Sequence, residues 1–112
     1  MSTYSTRGIH LLLDIYWDTV PDLLSFAEEV ETGCNLHVIK TLHHHFTPQG
    51  QTYLALLAES HFSIHTYPEH KYWSVDLYTC GSNDYRQDLA RIIAKYEPRS
   101  CAQRAVNRGL ET

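Results

Sequence analysis

From Ile9 to Tyr16 apolar and polar positions alternate, with Ile9, Leu11, Leu13 and Ile15 on one parity and His10, Asp14 and Tyr16 on the other. A period of two marks a strand with one apolar face. Asp18-Thr19-Val20-Pro21 supplies a turn and a helix start. Leu23, Leu24, Ala27 and Val30 then recur at helical spacing, and Gly33 is the expected stop. A second strand is expected from about Leu36 into His43-His44-His45, and Pro48-Gln49-Gly50 is a turn signal. Thr52 to Ala58 and Ser60 to Tyr67 read as strands. In the latter, period two puts His61, Ser63, His65 and Tyr67 on one face and Phe62, Ile64 and Thr66 on the other. Pro68-Glu69-His70-Lys71 turns the chain, and Tyr72 to Tyr78 alternates with Trp73, Val75 and Leu77 facing inward. A second amphipathic helix carries Tyr85, Leu89, Ile92, Ile93 and Tyr96 on its apolar stripe, and Glu97-Pro98 ends it. Ser100 to Val106 fits an edge strand.

The order β-α-β-β-β-β-α-β predicts an α+β fold: a two-layer sandwich with a mostly antiparallel sheet and both helices on one face. The uncovered face is where polar strand residues gather, and so the natural place for a site or a subunit contact. A chain of 112 residues holds one compact domain. Its 43% hydrophobic and 20% charged residues are a globular composition. The net charge of −4 and the scattered basic residues give no footprint for a phosphate backbone, so nucleic acid is not an expected partner. No apolar run has the length of a membrane span, and the start Met1-Ser2-Thr3-Tyr4 lacks signal features, so a cytoplasmic protein is expected. Cys34, Cys80 and Cys101 form no C-x-x-C pair, and an odd count argues for free thiols over a disulfide framework. On a strand only His43 and His45 share a face, and no adjacent carboxylate or cysteine completes a set, so no metal site is expected. The eight tyrosines suit core packing and a subunit interface.

The chemistry concentrates in Leu57-Ala58-Glu59-Ser60-His61-Phe62-Ser63-Ile64-His65-Thr66-Tyr67-Pro68-Glu69, followed by Leu77-Tyr78-Thr79-Cys80-Gly81. Serine beside histidine is the raw material of an activated nucleophile, yet the pair is common by chance, and a strand histidine is more often a hydrogen-bonded structural group. The whole stretch resembles the processing and active-site motif of the S-adenosylmethionine decarboxylase proenzymes of bacterial type, approximately A-E-S-H-x-S-I-H-T-x-P-E with T-C-G about eleven residues beyond. Gly8-Ile9-His10-Leu11-Leu12-Leu13-Asp14 and Phe46-Thr47-Pro48-Gln49-Gly50 also fit, so the resemblance covers most of residues 8 to 95.

The resemblance implies autocatalytic cleavage between Glu59 and Ser60, giving 1–59 (β chain) and 60–112 (α chain), with Ser60 converted to a pyruvoyl group. In that chemistry the Ser60 hydroxyl attacks the Glu59 carbonyl, turning the amide into an ester. A base removes the Ser60 α-proton, and the ester leaves as the Glu59 carboxylate. The dehydroalanine that remains tautomerises and hydrolyses to the pyruvoyl end, releasing ammonia. His65 matches the base and Thr52 the hydroxyl that assists processing. Because His65 is five residues from Ser60, a bend at Glu59-Ser60 or a cross-strand approach is needed to join them.

The pyruvoyl group then plays the part of pyridoxal phosphate, forming a Schiff base with the substrate amine and accepting the electrons freed when carbon dioxide departs. Cys80 matches the residue that returns a proton, a role open to a thiol that is mostly protonated at neutral pH. Glu69 matches a glutamate that binds the ribose hydroxyls, and Phe46 and Tyr67 match the aromatics that sandwich the adenine. Tyr67 stands where many relatives have tryptophan, and Gln51 and Tyr53 stand where small residues are usual. The bulkier strand is expected to narrow the nucleoside pocket. The function implied is decarboxylation of S-adenosylmethionine for spermidine synthesis by a homodimer whose partners both contribute to each site. The alternatives are a pyruvoyl enzyme acting on free ornithine or arginine, and an uncleaved, non-catalytic partner of an active homologue.

Overall fold

A computed structural model describes residues 7–81 and 83–109; the chain start read above for signal features lies outside the described residues. Six strands and two helices follow the expected order: β1 (Gly8–Tyr16), α1 (Leu23–Gly33), β2 (Val38–His45), β3 (Gln51–Leu57), β4 (Ser60–Tyr67), β5 (Tyr72–Cys80), α2 (Arg86–Lys95) and β6 (Ser100–Arg108). The strands make one sheet in the order β2-β3-β4-β5-β1-β6. Every pairing in it is antiparallel. The turn read at Pro68 is a single 3-10 turn, Pro68–His70, between β4 and β5.

Alternation along each strand decides which face is buried. Leu11, Leu13 and Ile15 of β1, Tyr53, Ala55 and Leu57 of β3, Phe62 and Ile64 of β4, and Trp73, Val75 and Leu77 of β5 meet Phe26, Ala27 and Val30 of α1 and Leu89, Ile92 and Ile93 of α2. At one end of this core Trp17, Phe26, Trp73 and Tyr96 pack edge to face, with ring centroids 5.1–6.4 Å apart. Such arrangements set the positive edge of one ring against the negative face of the next.

Helix α1 begins where Asp22 accepts from the Ser25 N–H at 3.0 Å, which satisfies one of the orphan donors of the first turn. It ends at Gly33, as expected. The left-handed position falls on Asn35 (φ 53°), a residue type that tolerates it. Gly33 has another use: a Cβ there would lie 2.6 Å from Cδ1 of Ile92, so the glycine lets α1 and α2 approach closely.

Among the described residues no helix covers the second face of the sheet. His10, Leu12, Asp14 and Tyr16 of β1 share it with His61, Ser63, His65 and Tyr67 of β4 and with Ser74, Asp76 and Tyr78 of β5. Leu42, Leu54 and Leu56 lie together on its β2–β3 side and are 64%, 40% and 52% exposed.

Candidate active site

The residues named by the sequence fall into two groups, one at each end of β4. The first forms at the β3–β4 hairpin. Leu57 pairs with Ser60, leaving Ala58 and Glu59 as the turn, and Glu59 takes a left-handed backbone with φ 59°. For a residue with a side chain that conformation costs roughly 1–2 kcal/mol, so strain sits directly on the N-terminal side of the Glu59–Ser60 bond. Strand β5 ends beside it. The Cys80 backbone N–H donates to Ser60 Oγ at 3.1 Å, and the Cys80 thiol donates to the Glu59 carbonyl oxygen at 2.7 Å. Gly81 follows with φ 86°, a conformation suited to glycine, and its N–H donates to the Arg7 carbonyl. A cleft of about 200 Å³ adjoins this end, lined by Ser60 and Cys80 together with Asn35, His37, Asn83 and Tyr85.

This arrangement bears on the peptide bond itself. A hydroxyl that accepts an N–H keeps a lone pair and its own proton. A thiol on the carbonyl oxygen draws charge away from the carbon that the hydroxyl would attack. Cys80 therefore touches both sides of the Glu59–Ser60 bond, a contact that the motif alone did not reveal.

The second group lies five residues along β4. Thr52 and His65 are cross-strand partners, and Thr52 Oγ1 and His65 Nδ1 are 2.9 Å apart. In the tautomer whose proton sits on Nδ1, that N–H donates to Thr52 and Nε2 keeps a lone pair. Phe46, Gln49, Gly50, Gln51, Thr52, His65, Thr66, Tyr67 and Glu69 line a cleft of about 370 Å³. The loop that carries Phe46 and Gln49 is closed by the Phe46 N–H donating to the Gly50 carbonyl at 2.8 Å. The Gln51 N–H donates to Thr66 Oγ1 at 2.9 Å. Phe46 and Tyr67 present large exposed ring surfaces, and Glu69 sits on the 3-10 turn beside them.

Two expectations need correction. Strand β4 runs unbroken from Ser60 to Tyr67, so no bend brings His65 back to Ser60. Five strand steps separate their Cα atoms by roughly 16 Å, and the pleat sets Ser60 with Phe62 but His65 with His61. A single chain leaves its serine and its histidine apart. Nor does Tyr53 narrow the Phe46–Tyr67 cleft: it faces the helices, 5% exposed, and its hydroxyl donates to the Glu31 carboxylate. Burial first, and then Glu31, push its phenol pKa up, and burial raises that of Glu31. Gln51 does line the cleft, and its side-chain oxygen is 2.7 Å from His43 Nε2.

His43 and His45 share a face with ring centroids 4.5 Å apart, while His44 packs against Phe46 on the other. Among the described residues no group of three His, Cys, Asp or Glu side chains is placed to hold a metal ion. Cys34, Cys80 and Cys101 are all free, and burial pushes the Cys34 thiol up to about 11. No helix among the described residues is long and apolar enough to cross a membrane.

Comparison with known proteins shows the family of the chain. The sequence profile of the family described as S-adenosylmethionine decarboxylase matches residues 10–109. A relative named S-adenosylmethionine decarboxylase proenzyme from Sulfurihydrogenibium sp. (strain YO3AOP1) is 36% identical, over 94% of this chain and 84% of its own. One of the same name from Aquifex aeolicus (strain VF5) is 39% identical over 94% and 83%. A crystal structure of the adenosylmethionine decarboxylase from Aquifex aeolicus VF5 superposes with a TM-score of 0.80 at 34% identity, covering 96% of this chain and 95% of that one. The chain belongs to the S-adenosylmethionine decarboxylase family.

Proposed function

We propose that the protein cleaves itself between Glu59 and Ser60, makes a pyruvoyl group from Ser60, and uses it to decarboxylate S-adenosylmethionine as a homodimer. The observation that carries this reading is the pair of Cys80 contacts: its N–H on Ser60 Oγ and its thiol on the Glu59 carbonyl. Nucleophile, scissile carbonyl and a polarising donor are thus together in the unprocessed chain.

The residues suit the steps in turn. Attack of Ser60 Oγ on the Glu59 carbonyl carbon breaks the C–N bond and forms an ester, releasing the left-handed strain at Glu59. His65, oriented through Thr52, takes the Ser60 α-proton on Nε2 in the tautomer protonated at Nδ1. The C–O bond then breaks with Glu59 as the leaving carboxylate. Hydrolysis of the remaining enamine nitrogen releases ammonia. The bound group supplies a carbonyl that receives the substrate amine and draws electrons from the departing carboxylate. Cys80, retained at that end, is the proton donor to the carbon that loses carbon dioxide.

Distance requires a second copy. A two-fold partner packed face to face with its strands reversed would set one chain's Thr52–His65 end over the other's Ser60–Cys80 end. The exposed Leu42, Leu54 and Leu56 on the open face are apolar surface suited to such burial. The second cleft fits a nucleoside: Phe46 and Tyr67 offer flat rings to a base, and the Glu69 carboxylate offers two acceptors to vicinal hydroxyls. A free basic amino acid would have no use for both rings.

Processed protein given carboxyl-labelled substrates should therefore release carbon dioxide from S-adenosylmethionine far faster than from ornithine or arginine. Glu69→Gln should raise KM for S-adenosylmethionine about tenfold to a hundredfold, the equivalent of a charge-assisted hydrogen bond of roughly 1.5–3 kcal/mol. Tyr67→Trp, which enlarges the stacking surface, should leave binding unchanged or stronger. Preference for ornithine or arginine, with Glu69→Gln silent, would remove the nucleoside and keep the self-cleaving chemistry.

A further inference from the structure

A row of rings crosses the open face and ends in the nucleoside cleft. Tyr67 of β4, Tyr72 of β5 and Tyr16 of β1 are cross-strand partners in a single register row. The Tyr67 ring stacks on Tyr72 with centroids 5.5 Å apart and planes 24° from parallel. Tyr72 in turn lies against Tyr16 at 4.9 Å and 32°, and the Arg99 guanidinium covers Tyr16 at 5.7 Å. In the middle of the row the Tyr72 hydroxyl donates to the Asp14 carboxylate. Burial and that carboxylate push the Tyr72 phenol up to about 12. Tyr67 lines the cleft and is 43% exposed, whereas Tyr72 is not among the lining residues.

Tyr67 is the last residue of its strand, so its backbone alone does little to hold its ring. A half-exposed tyrosine that must stack on a ligand loses rotamer freedom on binding, and a neighbour that already holds the ring removes that loss. Tyr72 has the contacts for this: a stacked face on Tyr67, a second ring behind it, and a carboxylate that fixes its hydroxyl. We propose that Tyr72 is a positioning residue for the nucleoside end of the substrate, holding the Tyr67 ring in the orientation that stacks on the base. This rests on the nucleoside reading of the cleft given above.

A double-mutant cycle on processed protein tests it, with KM and kcat for S-adenosylmethionine measured for Tyr72→Leu, Tyr67→Ala and the pair. Tyr72→Leu should raise KM about five- to tenfold and leave kcat within about twofold, because the reacting end is untouched. Tyr72→Phe keeps the ring and loses only the hydroxyl anchor, so it should recover most of the affinity, with KM about two- to threefold above the parent. Both effects should vanish when Tyr67 is already alanine, since a residue that acts through Tyr67 has nothing left to position. An equal KM rise with and without the Tyr67 ring overturns the inference, as does an unchanged KM or a loss confined to kcat. Should Tyr72→Leu fail to fold, the Tyr72→Phe cycle decides by the same criterion. If Tyr67→Ala alone leaves KM unchanged, the nucleoside reading itself has failed, and that outcome is distinct from a silent Tyr72.

Discussion

Neither Ser60→Ala nor His65→Ala should process by itself, yet the two chains expressed together should restore cleavage to one of them. Ser60→Ala removes the hydroxyl that would attack Glu59, so its chain should stay whole. His65→Ala keeps the nucleophile and loses the base. In a mixed dimer the intact serine of the His65→Ala chain meets the intact histidine of the Ser60→Ala chain. Random pairing makes about half the dimers mixed, and in these the His65→Ala chain is cut. Two differently tagged chains, co-expressed and resolved by mass, read the result. The expectation comes from geometry: an unbroken β4 holds Ser60 and His65 five residues apart. Cleavage of His65→Ala expressed without the Ser60→Ala chain would remove the base, and no cleavage in the mixture would remove the shared site.

Cys80→Ala should separate the two stages of the chemistry. Turnover should fall about a hundredfold to ten-thousandfold, the range for losing a positioned acid or base. Cleavage should continue but slow by about fivefold, because one neutral hydrogen bond to the Glu59 carbonyl is worth roughly 1 kcal/mol. The backbone N–H that holds Ser60 Oγ survives the substitution. Single-turnover assays on fully processed protein, set beside the rate of fragment appearance, measure both. Normal turnover in Cys80→Ala would take the thiol out of the mechanism.

Much of this was legible in the chain because period-two alternation fixes both strand identity and facing. The pattern of β4 set His61, His65 and Tyr67 apart from Phe62 and Ile64, and the same parity separates Ser60 from His65. The Thr52–His65 pair was not read from the sequence; it follows from the two-residue turn that sets Leu57 opposite Ser60. Less legible was whatever depends on register between strands distant in sequence. The Cys80 thiol meets the Glu59 carbonyl because β4 and β5 pair from Tyr67 and Tyr72 down to His61 and Tyr78, which lays the end of β5 beside the hairpin. No local spacing encodes that contact. Tyr53 was misplaced for a related reason: its position beside Thr52 suggested the cleft, but neighbours on a strand face opposite ways, and its partner Glu31 lies on α1. The left-handed turn at Glu59 was equally hidden, since a glutamate gives no local cue to it.

Self-processing is the claim on which the rest depends, and intact-mass measurement of the purified full-length chain after incubation tests it most directly. Two fragments should appear, residues 1–59 and residues 60–112, the second lighter by one ammonia than a serine-ended fragment and blocked to N-terminal sequencing. A single unmodified chain after prolonged incubation, or a second fragment that begins with free serine, would contradict the account.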